Sequence, residues 1–214
     1  MKIKVDIVTG FVGSGKSKLI NNKLENEVSK RDITVIIQCE KGQTNIEPVI
    51  KNKNLFIEDG CKENDLDKEY INYVIKKYHP TKIIIEANGM KKIDNLIEIF
   101  DYISISRKCF INEIVHTIDV STFNIFMNNM GSILINQILN SDFIILNNTG
   151  NFHGEKLNKI ERTLKRINKS AKISKGIFIL AKPKVFNNEI LLLIAILGFV
   201  IAYLVYSVFT PTGF

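Results

Sequence analysis

At 214 residues with a hydrophobic share of 45%, the chain is long enough for one well-cored domain and an appendage, too short for two ordinary domains and too apolar for a disordered protein. Its formal net charge of +7 fits an anionic partner or many solvated lysines, but no basic arm with interleaved aromatics occurs, so nucleic acid is not an expected partner. Three cysteines without paired spacing, and no secretory signal pattern at the start, point to a reducing, cytoplasmic setting for the globular part.

In chain order, Ile3–Thr9 alternates and then runs apolar, which predicts a strand; a glycine-rich turn follows, then a helix over 16–30. The β-branched run 33–38 reads as a buried parallel strand, and 55–57 as a short one. Between 65 and 78, apolar Leu66, Tyr70, Ile71, Val74 and Ile75 recur at helical spacing until His79-Pro80 ends the segment. Lys82–Glu86 is the next central strand, and a helical stretch runs on from Gly89 to about Phe100. Within a β-rich region the best strand is 113–120, and Ser121 is placed to cap a helix running to Leu139. A last apolar strand, 143–146, precedes a lysine-rich helix over 155–168. Strands alternating with helices imply a mostly parallel sheet covered on both faces.

The segment Gly10-Phe11-Val12-Gly13-Ser14-Gly15-Lys16-Ser17 satisfies G-x-x-x-x-G-K-[ST] between a predicted strand and a predicted helix. Gly13 and Gly15 let the backbone curl so that successive N–H groups converge on the β-phosphate, aided by the positive end of the helix, with Gly10 counted among the nucleotide contacts. Lys16 is expected to reach the β- and γ-phosphates and Ser17 to bind Mg²⁺, with Ser14 and Lys18 counted among the nucleotide contacts. Glu86, at the end of an apolar strand, is the candidate carboxylate for the magnesium shell, and the Gly89 N–H is placed to sense a γ-phosphate. The plainer alternative is that Glu86 merely ends a strand. Asp119 is a second, weaker carboxylate, with a purely structural role as its alternative.

Residues 190–209 hold twenty positions without a charge, fourteen of them Leu, Ile, Val or Phe, and twenty helical residues span about 30 Å, the thickness of a bilayer core. A transmembrane helix is therefore expected. Lys182 and Lys184 precede it and residues 210–214 carry no side-chain charge, which leaves the globular part on the cytoplasmic side. Lys165, Arg166, Lys169, Lys172 and Lys175 lie upstream, as a headgroup-facing set or as a solvated helix face.

Several segments resemble the CobW family of GTPases, which serve as metal chaperones or metallocentre accessory proteins alongside the urease and hydrogenase maturation GTPases. The phosphate loop with Thr9 before it and Leu19-Ile20 after it is similar to theirs, and Cys39-Glu40-Lys41-Gly42 resembles their Asn-Glu-x-Gly switch. Glu86-Ala87-Asn88-Gly89 resembles the Glu-Thr-Ser-Gly Walker B segment, and Ile118-Asp119 the Val-Asp strand end. Gln137, Asp142 and Asn147 fall at the family's order and spacing, and 167–173 resembles the segment that closes its nucleotide domain. Two signatures are eroded. Where the family has Cys-x-Cys-Cys, residues 60–64 keep Cys61 alone, a weak transition-metal candidate, to be completed by Cys39, Glu63 or Asp65 or else a plain buried thiol. Where the family reads guanine with Asn-Lys-x-Asp, the chain has Asn147-Asn148-Thr149-Gly150, losing the aspartate that holds the base. Asn147 and Asn148 stay candidate nucleotide contacts, and GTP is the implied ligand with ATP open beside it.

These readings together predict an α/β, three-layer P-loop NTPase domain over 1–175, a basic linker over 176–189, a single span over 190–209 and a tail over 210–214, at the cell membrane with the domain facing the cytoplasm. One functional reading is a slow Mg²⁺-dependent GTPase, with Lys16, Glu86 and Glu40 as catalytic residues, serving metal handling or metallocentre assembly. A second is a non-hydrolysing nucleotide sensor attached to a membrane transporter or other membrane or metalloprotein partner. Related GTPases often meet as two copies across the nucleotide, and the resemblance leaves a homodimer open here. A small-metabolite kinase is a third reading, disfavoured because Arg31, Arg107, Arg162 and Arg166 form no glycine-bounded lid.

Overall fold

The computed structural model describes residues 2–26, 32–40, 46, 53–59, 66–151 and 154–176. Its strands are β1 (Ile3–Thr9), β2 (Thr34–Gln38), β3 (Leu55–Asp59), β4 (Lys82–Glu86), β5 (Cys109–Asp119), β6 (Phe143–Asn147) and β7 (Lys172–Lys175). They form one sheet in the order β3-β2-β4-β1-β5-β6-β7, every neighbouring pair parallel. The helices are α1 (Lys16–Asn26), α2 (Lys68–Tyr78), α3 (Asp94–Ile99), α4 (Ile103–Ser106), α5 (Phe123–Leu139) and α6 (Glu155–Ile167).

Parallel strands buried on both faces need near-continuous apolar runs, and β2, β4 and β6 supply them. Ile7, Ile37, Ile85 and Ile114 lie abreast by register, on a face that packs with Ile71 and Val74 of α2, while Ile118, Ile144 and Leu146 pack with α5 and α6. Val8, Ile36 and Ile84 point the other way and are fully buried, as are Leu19 and Ile20 of α1. Two carboxylates interrupt this pattern. Asp6 and Glu113 are cross-strand partners, and Lys23 of the overlying α1 forms ion pairs with both, joined by Lys82 at 2.7 Å from Asp6.

Several boundaries differ from the sequence expectation, each for a local reason. Helix α2 starts at Lys68 because the Asp67 carboxylate accepts the Tyr70 amide at 2.7 Å, an N-cap. Helix α3 is shorter than the stretch from Gly89 to Phe100, because residues ahead of it are held as a turn: Gln137 donates to the carbonyls of Gly89 and Lys91, and the Ile93 amide donates to Asn136. Ser121 does not cap α5. Its amide and hydroxyl both donate to the Asp119 carboxylate, closing a tight turn, and Thr122 occupies the cap position with its hydroxyl donating to the Asp119 carbonyl instead of capping the helix. Strand β7 follows from Asn168, which ends α6, accepts the Ser170 and Ala171 amides, and donates to the carbonyls of Ile138, Leu139 and Ser141.

The chain divides into two units, Met1–Ile179 and Leu180–Phe214. The second unit lies outside the described residues, and with it the expected span over 190–209 and the tail; so does most of the linker. Among the described residues, no helix is long and apolar enough to cross a membrane. Of the basic set near the end of the first unit, Lys165 donates to the Ala171 carbonyl and Lys175 pairs with Glu161, while Arg166, Lys169 and Lys172 are exposed.

Candidate functional site

The parallel register brings the carboxyl ends of five strands to one edge of the sheet, where β1 is flanked by β4 and β5: Val8 lies beside Glu86, Thr9 beside His116, Gln38 beside Glu86, and Asp119 beside Asn147. In open α/β sheets this edge is where ligands bind. The loop from Gly10 to Gly15 crosses it and feeds α1, with positive φ at Gly10, Gly13 and Gly15.

The curl is held from several sides. Phe11 stacks on Phe126 of α5 at 4.0 Å between ring centroids. The Ser14 hydroxyl and the Thr117 hydroxyl are 2.7 Å apart, and Thr117 also donates to the Thr9 carbonyl. Asn147 donates to the Ser14 carbonyl at 2.6 Å. Gly15, at φ +99, would place a Cβ only 2.6 Å from that same Asn147 amide. Ser14 donates its amide to Phe11 at 3.1 Å, whereas, among the described residues, no protein acceptor takes the amides of Gly13, Gly15, Lys16 or Ser17. The main chain thus forms a concave set of donors at a helix N-terminus, the arrangement that binds phosphate.

Around this cradle the charged residues sit close together. The Ser17 hydroxyl donates to Glu86 Oε1 at 2.7 Å, and Gln38 donates to Glu86 Oε2 at 3.1 Å. Glu86 is almost fully buried, so these two bonds orient a desolvated carboxylate toward the loop. Lys16 lies folded back, donating to the carbonyls of Gly10 and Phe11 and ion-paired with Glu40 at 2.7 Å. Glu40 also accepts the Gly89 amide at 3.4 Å. Gly89 is pressed against the loop: a Cβ there would lie 2.3 Å from the Gly10 carbonyl oxygen.

Of the predicted site residues, Gly10, Gly13, Ser14, Gly15, Lys16, Ser17, Glu40, Glu86, Gly89 and Asn147 gather at this edge. Lys18 lies on the exposed side of α1. Asn148, exposed and in the left-handed region at φ +56, donates to Asp119, whose carboxylate is thereby engaged with Ser121 and Asn148 rather than with Ser17. Asn147 likewise uses its amide to tether the loop. Cys61, Glu63 and Asp65 lie outside the described residues, and among those described no group of three or more His, Cys, Asp or Glu side chains is arranged to hold a metal ion. Burial pushes the Cys109 thiol up to about 11, so this cysteine is a core residue.

Sequence reasoning did not find Gln38, Thr117 or His116. The first two are polar residues near the ends of apolar strands, made meaningful by the register of Gln38 beside Glu86 and by the Thr117 hydroxyl's bond to the Thr9 carbonyl. His116 is fully buried, and neither ring nitrogen has a hydrogen-bond partner. Burial, and then the charge of Lys16, hold its pKa down to about 3, so the ring is neutral.

The arrangement fits a polyphosphate and a divalent cation: free amides in a curl, a lysine within the curl, and a hydroxyl already bonded to a buried carboxylate. Residues 4–175 match the family model described as CobW/HypB/UreG, nucleotide-binding domain. Zinc-regulated GTPase metalloprotein activator 1 of Schizosaccharomyces pombe is 28% identical over 189 residues, covering 80% of this chain and 45% of that protein. Zinc chaperone CobW of Pseudomonas aeruginosa is 24% identical over 135 residues, covering 55% of this chain and 36% of that one. The chain thus spans less than half the length of these curated relatives. Among solved structures, the Zn(II)-bound YjiA GTPase from E. coli aligns with a TM-score of 0.59 at 23% identity, covering 81% of this chain and 57% of that one. The hydrogenase maturation factor HypB from Archaeoglobus fulgidus aligns with a TM-score of 0.57 at 21% identity, covering 82% and 81% respectively. At these identities the structural likeness speaks for the fold, an α/β P-loop NTPase domain.

Proposed function

Because this chain belongs to the CobW/HypB/UreG family of nucleotide-binding domains, we propose that it is a Mg²⁺-dependent GTP-binding protein and slow GTPase that serves metal handling or metallocentre assembly, anchored in the cell membrane by residues 190–209. The observation that carries the nucleotide reading is the curled loop with unpartnered amides, closed by Lys16 and backed by the Ser17–Glu86 bond. The metal-handling part is supported by the names of the relatives, and the anchor by the uncharged run of twenty residues.

In this reading the loop amides and Lys16 bind the β- and γ-phosphates, and the Gly89 amide takes a γ-phosphate oxygen. Ser17, with Glu86 behind it, would hold Mg²⁺, which when bound supplies positive charge against the phosphate oxygens. Gln38 keeps the Glu86 carboxylate in register with Ser17, and Glu86 or Glu40 orients an attacking water. With the charge-stabilising groups set in advance by the fold, little reorganisation accompanies the reaction. ATP stands beside GTP as ligand, because Gly150 stands where the family has the base-reading aspartate and Asn148 where it has the lysine.

A nucleotide-affinity panel on the full chain in detergent, with GTP, GDP, ATP and ADP in the presence and absence of Mg²⁺, tests the binding reading. Hydrolysis by the wild type and Lys16→Ala tests turnover. Equal phosphate release by the two discards the GTPase, and absence of binding discards the nucleotide reading altogether. Tight binding without turnover, with a co-purifying membrane protein, selects the second reading instead: a nucleotide sensor on a membrane transporter. The loss of the base-reading aspartate and the single cysteine of the metal motif favour that alternative.

A further inference from the structure

One carboxylate oxygen, Glu40 Oε2, is held by both Lys16 Nζ at 2.7 Å and the Gly89 amide at 3.4 Å. Resting on the nucleotide reading above, we propose that Glu40 is an internal stand-in for the γ-phosphate, which a nucleoside triphosphate displaces and a diphosphate leaves in place.

The two donors that meet at Glu40 Oε2 come from different strands' ends, the phosphate loop after β1 and the turn after β4. A γ-phosphate oxygen bound between Lys16 and Gly89 would need the same two donors. Lys16 Nζ already donates to the Gly10 and Phe11 carbonyls besides Glu40, and the Gly89 amide, with a single hydrogen, cannot serve two anions at once. Gly89 has no room to withdraw, because a Cβ on it would already overlap Gly10 and Phe11, and Gln137 holds its carbonyl from behind at 3.1 Å. Lys16 is 5% exposed and Glu40 13%, so this ion pair is largely shielded from water, and a second negative charge beside Glu40 would meet little screening. Triphosphate binding therefore requires Glu40 to leave. The amides of Gly13, Gly15, Lys16 and Ser17, which have no protein acceptor among the described residues, remain open to a β-phosphate with Glu40 still in position.

The geometry also explains what such a displacement reaches. Glu40 directly follows Cys39, whose amide donates to the Glu86 carbonyl at 2.9 Å, and Gln38, which orients the Glu86 carboxylate. Movement of Glu40 thus bears on the strand end that supports the Ser17–Glu86 pair.

The test is the phosphate-number preference of the full chain and of Glu40→Gln, measured by calorimetry at saturating Mg²⁺ with non-hydrolysable GTP and ATP analogues, so that turnover does not intervene. Guanine and adenine pairs are both used, since the effect concerns phosphates and not the base. Removing the carboxylate charge removes the competitor, so the affinity for the GTP and ATP analogues is expected to rise by about tenfold or more, the scale of one charge-assisted hydrogen bond. The affinity for GDP and ADP is expected to change by less than about threefold on the same scale. A fall in triphosphate affinity, an equal rise for di- and triphosphates, or an unchanged preference overturns the proposal while leaving the nucleotide reading intact. Failure of both proteins to bind any of the four nucleotides removes the nucleotide reading and this proposal with it.

Discussion

His116 offers a measurable link between the site's burial and the protein's stability. It lies on β5 between Thr9 of β1 and Ile144 of β6, fully buried, with both ring nitrogens unpartnered. An ordinary histidine titrates near 6.5, but burial and then Lys16 hold this one down to about 3. Below pH 6.5 the unfolded chain therefore takes up a proton that the folded chain refuses. The stabilising contribution is complete above about pH 6.5 and drains away as pH falls toward about 3. Between pH 7 and pH 5 the loss attributable to this one ring is about 2 kcal/mol. Urea unfolding of the full chain and of His116→Val, followed by circular dichroism at pH 7, 6 and 5, isolates it, because the carboxylates and other histidines titrate alike in both proteins. The wild type is expected to lose about 2 kcal/mol more than the variant over this range. Parallel stability profiles would refute the argument, showing that the ring finds a proton acceptor or water in its site.

Four further outcomes follow from the same geometry. Lys23→Ala leaves Asp6 and Glu113 facing each other under α1 with Lys82 and the Asn112 amide on Asp6 to compensate, and should cost about 3 kcal/mol or more in urea unfolding. Gly89→Ala forces a methyl group onto the Gly10 carbonyl and should lower triphosphate affinity by at least about tenfold in calorimetry, whereas Gly131→Ala in α5, with nothing within 4 Å, should raise stability by about 0.5 kcal/mol. Asn147→Ala removes the bond to the Ser14 carbonyl and should weaken binding of every nucleotide by about five- to tenfold, without changing the preference between them, as measured in the same titrations.

The elements near the site were legible because each carries its own local signal. Ile3–Thr9 is an apolar strand, Gly10, Gly13 and Gly15 stand where φ is positive, and Lys16 opens a helix; all three follow from residue type and spacing. Lys82–Glu86 announced itself as a buried strand ending on a carboxylate, and the fold places that carboxylate on Ser17. Less legible were features decided by partners distant in sequence. Helix α3 was expected to begin several residues earlier, since nothing local reveals that Gln137 and Asn136 of α5 take up the polar groups of the turn before it. Ser121 had the right chemistry for a cap, but Asp119, two residues back, competes for both its amide and its hydroxyl.

What the sequence determined unaided is the order of strands and helices apart from α4 and β7, the curled loop and its lysine, because hydrophobic period and glycine conformation act over a few residues. Only the tertiary structure decided that Lys23, one of many lysines, is buried between two carboxylates, that Asn147 fastens the loop, and that Glu40 reaches both Lys16 and Gly89. Those outcomes depend on which strands lie side by side and in what register, and a parallel sheet joins neighbours through crossovers that place interacting residues dozens of positions apart.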